Sequence, residues 1–482
     1  MTQDELLQLL DKIQEEKCES ETLELKAALK GTPQKLFSTL SSFSNQNKGG
    51  TIVFGVDEQH DFDECGVYDP QDLQQKVVNQ CKQMEPVVRP VFTHVKKNNK
   101  MFVSAEIPGM DYVQRPCYYK GHGISDSYIR NGDSDDKMTD YEIFSILDYR
   151  KHVHYDIRPC SNITDASIEL EQLARYTELL KKQNPKLVRF SDEELLNQTG
   201  MKSDGVYTLA ADLLFGIWPQ GIYPQFCILA AKYPGNYSEQ PSVKRGSEDE
   251  RFQDSKRIEG NLFDMLNSGL KFIRDNQKNP IRFDDEYNRT QNHIIPDSAI
   301  REALLNALLH RDYSPQAESQ AIRITMFDDR IEIASPGEIY GNVSLNELGK
   351  SAKPETRNPC IVRTMELFSM TENRYSGIPE MRRAMLERKC PEPIFQSNRG
   401  MFTVILCSYS EAKTDQLQYA NIYEFLQTPR TRQEIADYYG IRSVAYAIKT
   451  HITPLVAGGK ILLTLPNTPR SKNQKYYTNP NL

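Results

Sequence analysis

The segment IREALLNALLHRDY, residues 300–313, constrains this chain more than any other. Ala303, Leu304, Ala307 and Leu308 recur at helical spacing and supply a packing face, while Glu302 and Asn306, four apart, share another. The expected helix (301–311) leads into ITMFDDRIEIASPGE, two strands joined by an Asp-Asp turn and stopped by Pro336-Gly337. A helix at 378–388 and a strand at 402–407 complete the unit, with a lysine-containing, mobile loop expected at 346–356.

The rest of the chain is larger than one hydrophobic core. Its 482 residues, at roughly 150 per domain, predict about three domains. No window holds about 18 uninterrupted apolar residues, so no membrane-spanning helix and no membrane partner are expected. The start, MTQDELLQLLDKIQEEK, is acidic and amphipathic without an apolar core, so no secretory signal is expected. Nine scattered cysteines, none in CxxC, suit a reduced cytoplasmic chain without a zinc ribbon or disulfide frame. A net charge of −7 excludes a globally basic nucleic-acid coat but leaves room for a basic patch on one domain.

The expected fold class is α+β and multidomain. Residues 1–150 read as an α+β domain: a first helix carrying Leu6, Leu7, Leu10 and Ile13, a strand at Leu23–Lys26, a helix over 33–47 begun by Pro33, and the buried strand TIVFGV. A helix over 70–84 and strands near 87–97 and 101–107 follow. Residues 151–294 form a mixed connecting region, with a strand at Phe226–Ala231 and a helix over 257–275. Residues 295–412 hold the helix and hairpin above. Residues 413–482 read as a winged helix-turn-helix: short helices near 420–427, 431–438 and 443–457, then a hairpin. From residue 414 onward eight bases face four acids, a local excess on an acidic chain.

Two regions carry candidate chemistry. In ESETLELK, Leu23 and Leu25 face inward and Glu24 and Lys26 share the other face. Glu19 meets Glu24 only if the chain turns between them, and Asp57, just past TIVFGV, is the candidate third acid. Carboxylates brought together repel and invite Mg2+ or Mn2+, which can generate hydroxide and stabilise a scissile phosphate. The alternative is a solvated acidic edge. Further on, Arg115, Lys120 and Arg130 can neutralise phosphates, and Tyr118, Tyr119 and Tyr128 can stack on bases, unless the tyrosines simply pack in a sheet. In the 301–311 helix, Asn306 can hold Mg2+ as a neutral oxygen ligand and Glu302 can orient or deprotonate water, with His310 near the same side. The alternative is an amphipathic helix with an ordinary polar edge. His152 and His154 read as surface histidines. No GxxxxGK[ST] motif occurs, so a P-loop motor is not expected.

Over roughly residues 15–150, ESETLELK, NKGGTIVFGVDE and RPCYYKGHGISDSYIRNGDSD together resemble the Schlafen AlbA-type domain. The resemblance implies nucleic-acid binding, RNA or tRNA favoured over DNA. It also implies a metal-dependent nuclease site on Glu19, Glu24 and Asp57, with Lys26 among the nucleic-acid contacts. Bacterial members described only as DNA-binding or regulatory leave cleavage open. Over about 295–410, ExxxNAxxHRDY and the hairpin ending in proline-glycine resemble the GHKL ATPase family. That places an ATP-bound metal on Asn306, a general base on Glu302 and nucleotide contacts on His310, Ser335 and Gly337. Where the family has an Asp that reads the adenine amino group, this chain has Ile333-Ala334-Ser335-Pro336-Gly337-Glu338, so adenine selectivity stays open. Ser376 and Gly377 open a helix whose N–H groups can face phosphates, and Lys350, Lys353 and Arg357 sit in the expected lid. In the carboxy-terminal region Arg442 and Lys449 would face a groove, and Lys472 would hold phosphates from the wing. Protein docking is the alternative there.

Two functions follow. One is a nucleotide-gated nuclease of a homodimer or higher homo-oligomer, suited to bacterial stress response or phage defence. The other is an ATP-binding, DNA-binding transcriptional regulator without cleavage.

Overall fold

The computed structural model describes residues 1–235, 252–277, 281–283, 289–291, 295–343, 345–350, 355–371, 377–408, 422–438, 448, 452–457, 460–465 and 474–479. Residues Met1–Ser408 form one compact unit and Tyr409–Leu482 another.

The first unit opens with a four-stranded sheet in the order Leu23–Lys26, Gly50–Phe54, Lys100–Ile107, Val91–Lys97. The first pair is parallel and the others antiparallel. The Gly50–Phe54 strand is buried on both faces, which explains its unbroken apolar run. Val53 packs with Leu23, Leu25 and the Gln3–Glu16 helix, whereas Ile52 and Phe54 pack with Leu36, Leu40 and Phe43 on the other side. Side-chain alternation then sends Glu24 to the face opposite Leu23 and Leu25, as the spacing predicts. Gly49 sits at φ +65°, and a Cβ there would meet the Ile107 carbonyl oxygen at 2.1 Å, so this turn requires glycine.

The helix expected over 33–47 spans only Phe37–Ser44. The Gln80 side chain explains the late start: it donates to the Pro33 carbonyl at 2.8 Å and accepts from the Leu36 N–H at 3.1 Å. Both backbone groups are thereby held in a non-helical turn.

A six-stranded sheet follows in the order Asp254–Ile258, Ile228–Lys232, Ile322–Met326, Arg330–Pro336, Met401–Cys407, Ile394–Asn398. Only the contact of Ile228–Lys232 with Ile322–Met326 is parallel. Two strands of this sheet lie within residues 151–294, so a division at residue 294 would cut through one hydrogen-bonded layer. The helix expected over 257–275 is displaced for the same reason. Residues 254–258 pair as a strand, and the helix Leu262–Asn276 begins only after Asn261, which accepts from the Phe263 and Asp264 N–H groups at 3.1 Å.

The Ile322–Met326 and Arg330–Pro336 hairpin forms as expected. The helix beside it runs Asp297–Leu309, starting earlier than the spacing suggested. Ala303, Leu304, Ala307 and Leu308 are buried in one core with both sheet strands and the Leu262–Asn276 helix. Glu302 and Asn306 stay half-buried on the remaining face.

In the second unit the strands Arg430–Thr431, Lys475–Thr478 and Ile461–Leu463 form an antiparallel sheet. Helices Ile422–Phe425, Arg432–Tyr438 and Thr453–Ala457 accompany it. Phe425, Leu426, Ile435, Ile452, Ile461 and Tyr476 make its core. Arg442, Lys449 and Lys472 lie outside the described residues. Among the described residues no helix is long and apolar enough to cross a membrane.

Leu304 is fully buried at the centre of the large core. Leu304→Ala is expected to destabilise the first unit by about 2–5 kcal/mol through lost burial and a residual cavity. Urea unfolding followed by tryptophan fluorescence measures this, because Trp218, the single tryptophan, lies in that unit.

Candidate functional site

The Asp297–Leu309 helix, the six-stranded sheet and the Gly377–Glu387 helix enclose a cavity of about 310 Å3. Glu302, Asn306 and His310 reach it from the first helix, Ser335, Gly337 and Glu338 from the sheet end, and Gly377 from the start of the second helix. Ile333, Phe395, Phe402 and Val404 make its apolar wall. The structure thus brings together most of the residues expected to hold a nucleotide. Lys353 and Ser376 lie outside the described residues.

The Asn306 amide nitrogen donates to Glu302 Oε1 at 3.0 Å. This bond orients the carboxamide and leaves its carbonyl oxygen as a hard, neutral ligand, a donor that fits Mg2+. Burial pushes the Glu302 pKa up, only partly opposed by Asn306. A half-buried carboxylate with a raised pKa is suited to taking a proton from water. Gly377 leaves room for it: a Cβ there would lie 2.0 Å from Glu302 Oε1. For His310, crowding by protein, then the charge of Arg357, lowers the pKa to about 4, although the residue stays open to the cavity. The imidazole is therefore neutral near pH 7.

Two expected nucleotide contacts have other work. The Ser335 hydroxyl donates to the Ala307 carbonyl at 2.7 Å and ties the sheet to the helix. Arg357 is not a phosphate-facing lid residue. It is buried, pairs with Asp312 at 2.9 Å, donates to the Glu338 carbonyl at 3.1 Å and lies over the Tyr340 ring. The fully buried Asp312 claims it. Burial opposes ionisation of Asp312, but Arg357, the Tyr141 hydroxyl at 2.7 Å and the Ser314 N–H at 2.8 Å outweigh it and hold the carboxyl below its usual range. Tyr141 belongs to the helix Asp140–Arg150, which lies beyond the first sheet in the chain. Tyr141, Asp312 and Glu338 were missed as functional residues. The available signal was an ionisable His310-Arg311-Asp312 run directly after the apolar stretch Ala307–Leu309, where a buried acid demands a cation.

At the other candidate centre, the chain does turn between Glu19 and Glu24, through a bridge of Ser20 with Leu23. Glu19 accepts from the Leu25 N–H at 2.6 Å. A guanidinium lies beside both acids: Arg130 is 2.9 Å from Glu24, 3.9 Å from Glu19 and 2.9 Å from Asp135. Lys26 pairs with Glu24 as well. Asp57 does not join them; it accepts from the Gln59 N–H at 3.1 Å and pairs with His60 at 2.9 Å. Among the described residues no group of three carboxylate, histidine or cysteine side chains is placed to hold a metal ion. A divalent cation at the Glu19–Glu24 pair would have to displace a guanidinium, so this donor set does not fit one as arranged.

The basic-aromatic stretch divides similarly. Arg115 is buried and donates to the Met110 carbonyl at 2.9 Å and Asn47 Oδ1 at 2.7 Å. Arg115 and Arg130 therefore hold the protein together rather than meet phosphates. Lys120 is exposed, with a loose pairing to Glu85 at 3.2 Å. Tyr118 and Tyr128 are half-buried, and the Tyr128 hydroxyl reaches Asp126 at 3.2 Å. His152 is exposed, while His154 reaches the Arg357 carbonyl at 3.1 Å.

Comparison with known proteins agrees with the two regions. Residues 19–139 match the family model described as Schlafen, AlbA_2. Residues 319–406 match the model described as "Putative ATP-dependent DNA helicase recG C-terminal". No curated protein matches the chain. Among solved structures, the DIP2311 protein of Corynebacterium diphtheriae is 15% identical over 93% of each chain, with a TM-score of 0.40. The N-terminal domain of a RecG-related protein of Nitrosomonas europaea is 23% identical over 27% of this chain and 91% of that one, with a TM-score of 0.22. The two domain matches associate the chain with nucleic-acid binding and with ATP.

Burial, then the charge of Glu24, pushes the Glu19 pKa from 4.5 to about 7 against the Leu25 hydrogen bond. An acid whose folded pKa is raised favours the folded state when protonated. Between pH 4.5 and about 7 the unfolded chain ionises first, so Glu19 makes stability fall as pH rises through this window. Glu19→Gln, which keeps an acceptor for Leu25, is expected to flatten that part of the stability profile in urea titrations at pH 5, 6 and 7.

Proposed function

We propose that this chain is a nucleotide-gated nucleic-acid-binding protein that acts as a regulator without cutting its target. The observation that carries the gate is the contact of Tyr141 with Asp312 at 2.7 Å. Through Arg357 and the Glu338 carbonyl it ties the Asp140–Arg150 helix, which directly follows the AlbA-type region, to the wall of the cavity. A ligand that moves Glu338 must work against this chain of hydrogen bonds, and the helix at its far end senses the change. The nucleotide is a triphosphate taken with Mg2+. Asn306 would hold the ion, which would supply charge neutralisation for the phosphates. Glu302 orients water, the Gly377 helix start offers N–H groups to phosphate, and the apolar wall excludes solvent.

Binding without cleavage is favoured by the guanidinium of Arg130 beside Glu19 and Glu24. Nucleic acid is met by the groups left accessible, Lys120, Tyr118 and Tyr128, and by the basic second unit. Cleavage is the second reading, favoured by the closeness of the two glutamates. The full chain is incubated with tRNA and with duplex DNA in Mn2+, with and without ATP. Retention of nucleic acid that changes with ATP, without cuts, supports the regulator. Metal-dependent cuts that disappear in Glu24→Ala replace it with the nuclease.

Three further outcomes are expected. Asn306→Ala weakens Mg2+-dependent triphosphate binding roughly tenfold or more by calorimetry. Glu302→Gln keeps binding while phosphate release stops, since it removes the base and not the metal ligand. Tyr141→Phe deletes a charge-assisted hydrogen bond worth about 1.5–3 kcal/mol. Anisotropy titrations of that variant should show both ligands bound and the effect of one on the other lost.

A further inference from the structure

The six-stranded sheet ends at the strand Asp254–Ile258, and among the described residues no strand pairs with its outer side. Its first four residues are exposed and only Ile258 is buried. Alternation puts Asp254, Lys256 and Ile258 on the face covered by the Leu262–Asn276 helix and sends Ser255 and Arg257 to the other. The Asn276 amide nitrogen donates to Asp254 Oδ2 at 2.8 Å and leaves the other carboxylate oxygen open. Among the described residues no carboxylate pairs with Lys256. An edge of this kind presents backbone N–H and C=O groups that pair readily with a further strand.

Two large apolar rings flank the strand, one at each end. Phe252, just before it, is 40% exposed and meets the Tyr233 ring only edge-on, at 5.0 Å between centroids. Trp218 is 60% exposed, and its indole nitrogen donates to Glu259 Oε2 at 3.0 Å, which fixes the ring beside the strand's far end. Exposed aromatic rings at fixed positions are the side chains that anchor interfaces.

We propose that Asp254–Ile258 is the docking edge for a second copy of this chain, which joins two sheets into one continuous layer. Antiparallel pairing about a two-fold axis keeps like faces together, so each residue meets one that points to the same side. The charges then select the register. Centred on Ser255, the pairing sets Asp254 against the partner's Lys256 and Lys256 against the partner's Asp254. Centred on Asp254, Lys256 or Arg257, it would bring like charges together at the axis. A lysine alone on an edge repels a second strand; with Asp254 two residues before it, Lys256 fixes the register instead. The same antiparallel arrangement lays the start of each strand beside the end of the other. Phe252 of the partner subunit thus arrives at Trp218, and the contact repeats across the axis. The interface does not depend on what the cavity binds.

Light scattering after size exclusion and Trp218 emission, both on the full chain, test this. The wild type is expected to form a dimer, with emission moving to shorter wavelength as concentration rises. Trp218 is the single tryptophan, so the signal reports this end of the strand. Lys256→Asp sets acid against acid on both sides of the axis and is expected to weaken dimerisation roughly tenfold or more. Asp254→Lys combined with Lys256→Asp exchanges the two charges and is expected to restore it, which separates lost pairing from lost folding. A wild type that stays monomeric at every concentration overturns the proposal. So does a Lys256→Asp dimer of undiminished affinity, or a double variant no tighter than Lys256→Asp. A dimer whose Trp218 emission ignores concentration places the interface elsewhere and overturns it as well.

Discussion

The buried carboxylate of Asp312 is the contact on which the larger sheet's functional end depends. It receives Arg357, Tyr141 and the Ser314 N–H in a region without solvent. Around it, Asn358 donates to the Leu309 and Arg311 carbonyls at 2.9 and 2.8 Å, and so closes the end of the Asp297–Leu309 helix. Arg311, itself buried, donates to the Asp312, Ala317 and Gln320 carbonyls and lies over the Phe226 and Tyr313 rings. Such a network is costly unless every member is satisfied, and a partly broken one leaves a buried charge. That requirement sets the Asp297–Leu309 helix, Arg357 with Asn358, and the Asp140–Arg150 helix in one arrangement.

The AlbA-type region obeys the same rule with a different outcome. Glu24 is placed on a buried face by strand alternation, and its charge has to be met there. A metal ion and a guanidinium both meet that need. Here Arg130 does so, while Asp135 also accepts from Thr39 and Ser42 and draws the Phe37–Ser44 helix onto the same group. The cation that spacing assigns to a phosphate becomes an internal counterion. Binding capacity shifts to what remains on the surface.

The Pro336-Gly337 turn separates the surroundings of Ser335 from those of Glu338. Ser335 faces the helix and bonds to its backbone, whereas the Pro336-Gly337 turn carries the next side chain back to the cavity. Gly337, at φ +114°, packs against Asp312, so the turn and the buried acid constrain one another. A ligand at Glu338 and a helix at Tyr141 are therefore separated by few contacts.

The sequence by itself determined the local periodicities: the strand placing Glu24 opposite Leu23 and Leu25, the helix pairing Glu302 with Asn306, and the hairpin ended by Pro336-Gly337. Each depends on residues a few positions apart, where backbone geometry dictates which side chains share a face. Tertiary structure alone decided which charge each acid meets. Arg130 reaches back to Glu24, Arg357 to Asp312, and Tyr141 across to the same acid. Gln80 shortened a helix far away in the chain, and strand pairing turned 254–258 away from a helix. These partners are separated by long stretches of chain, and spacing carries no information about which distant cation or amide arrives first at a buried group.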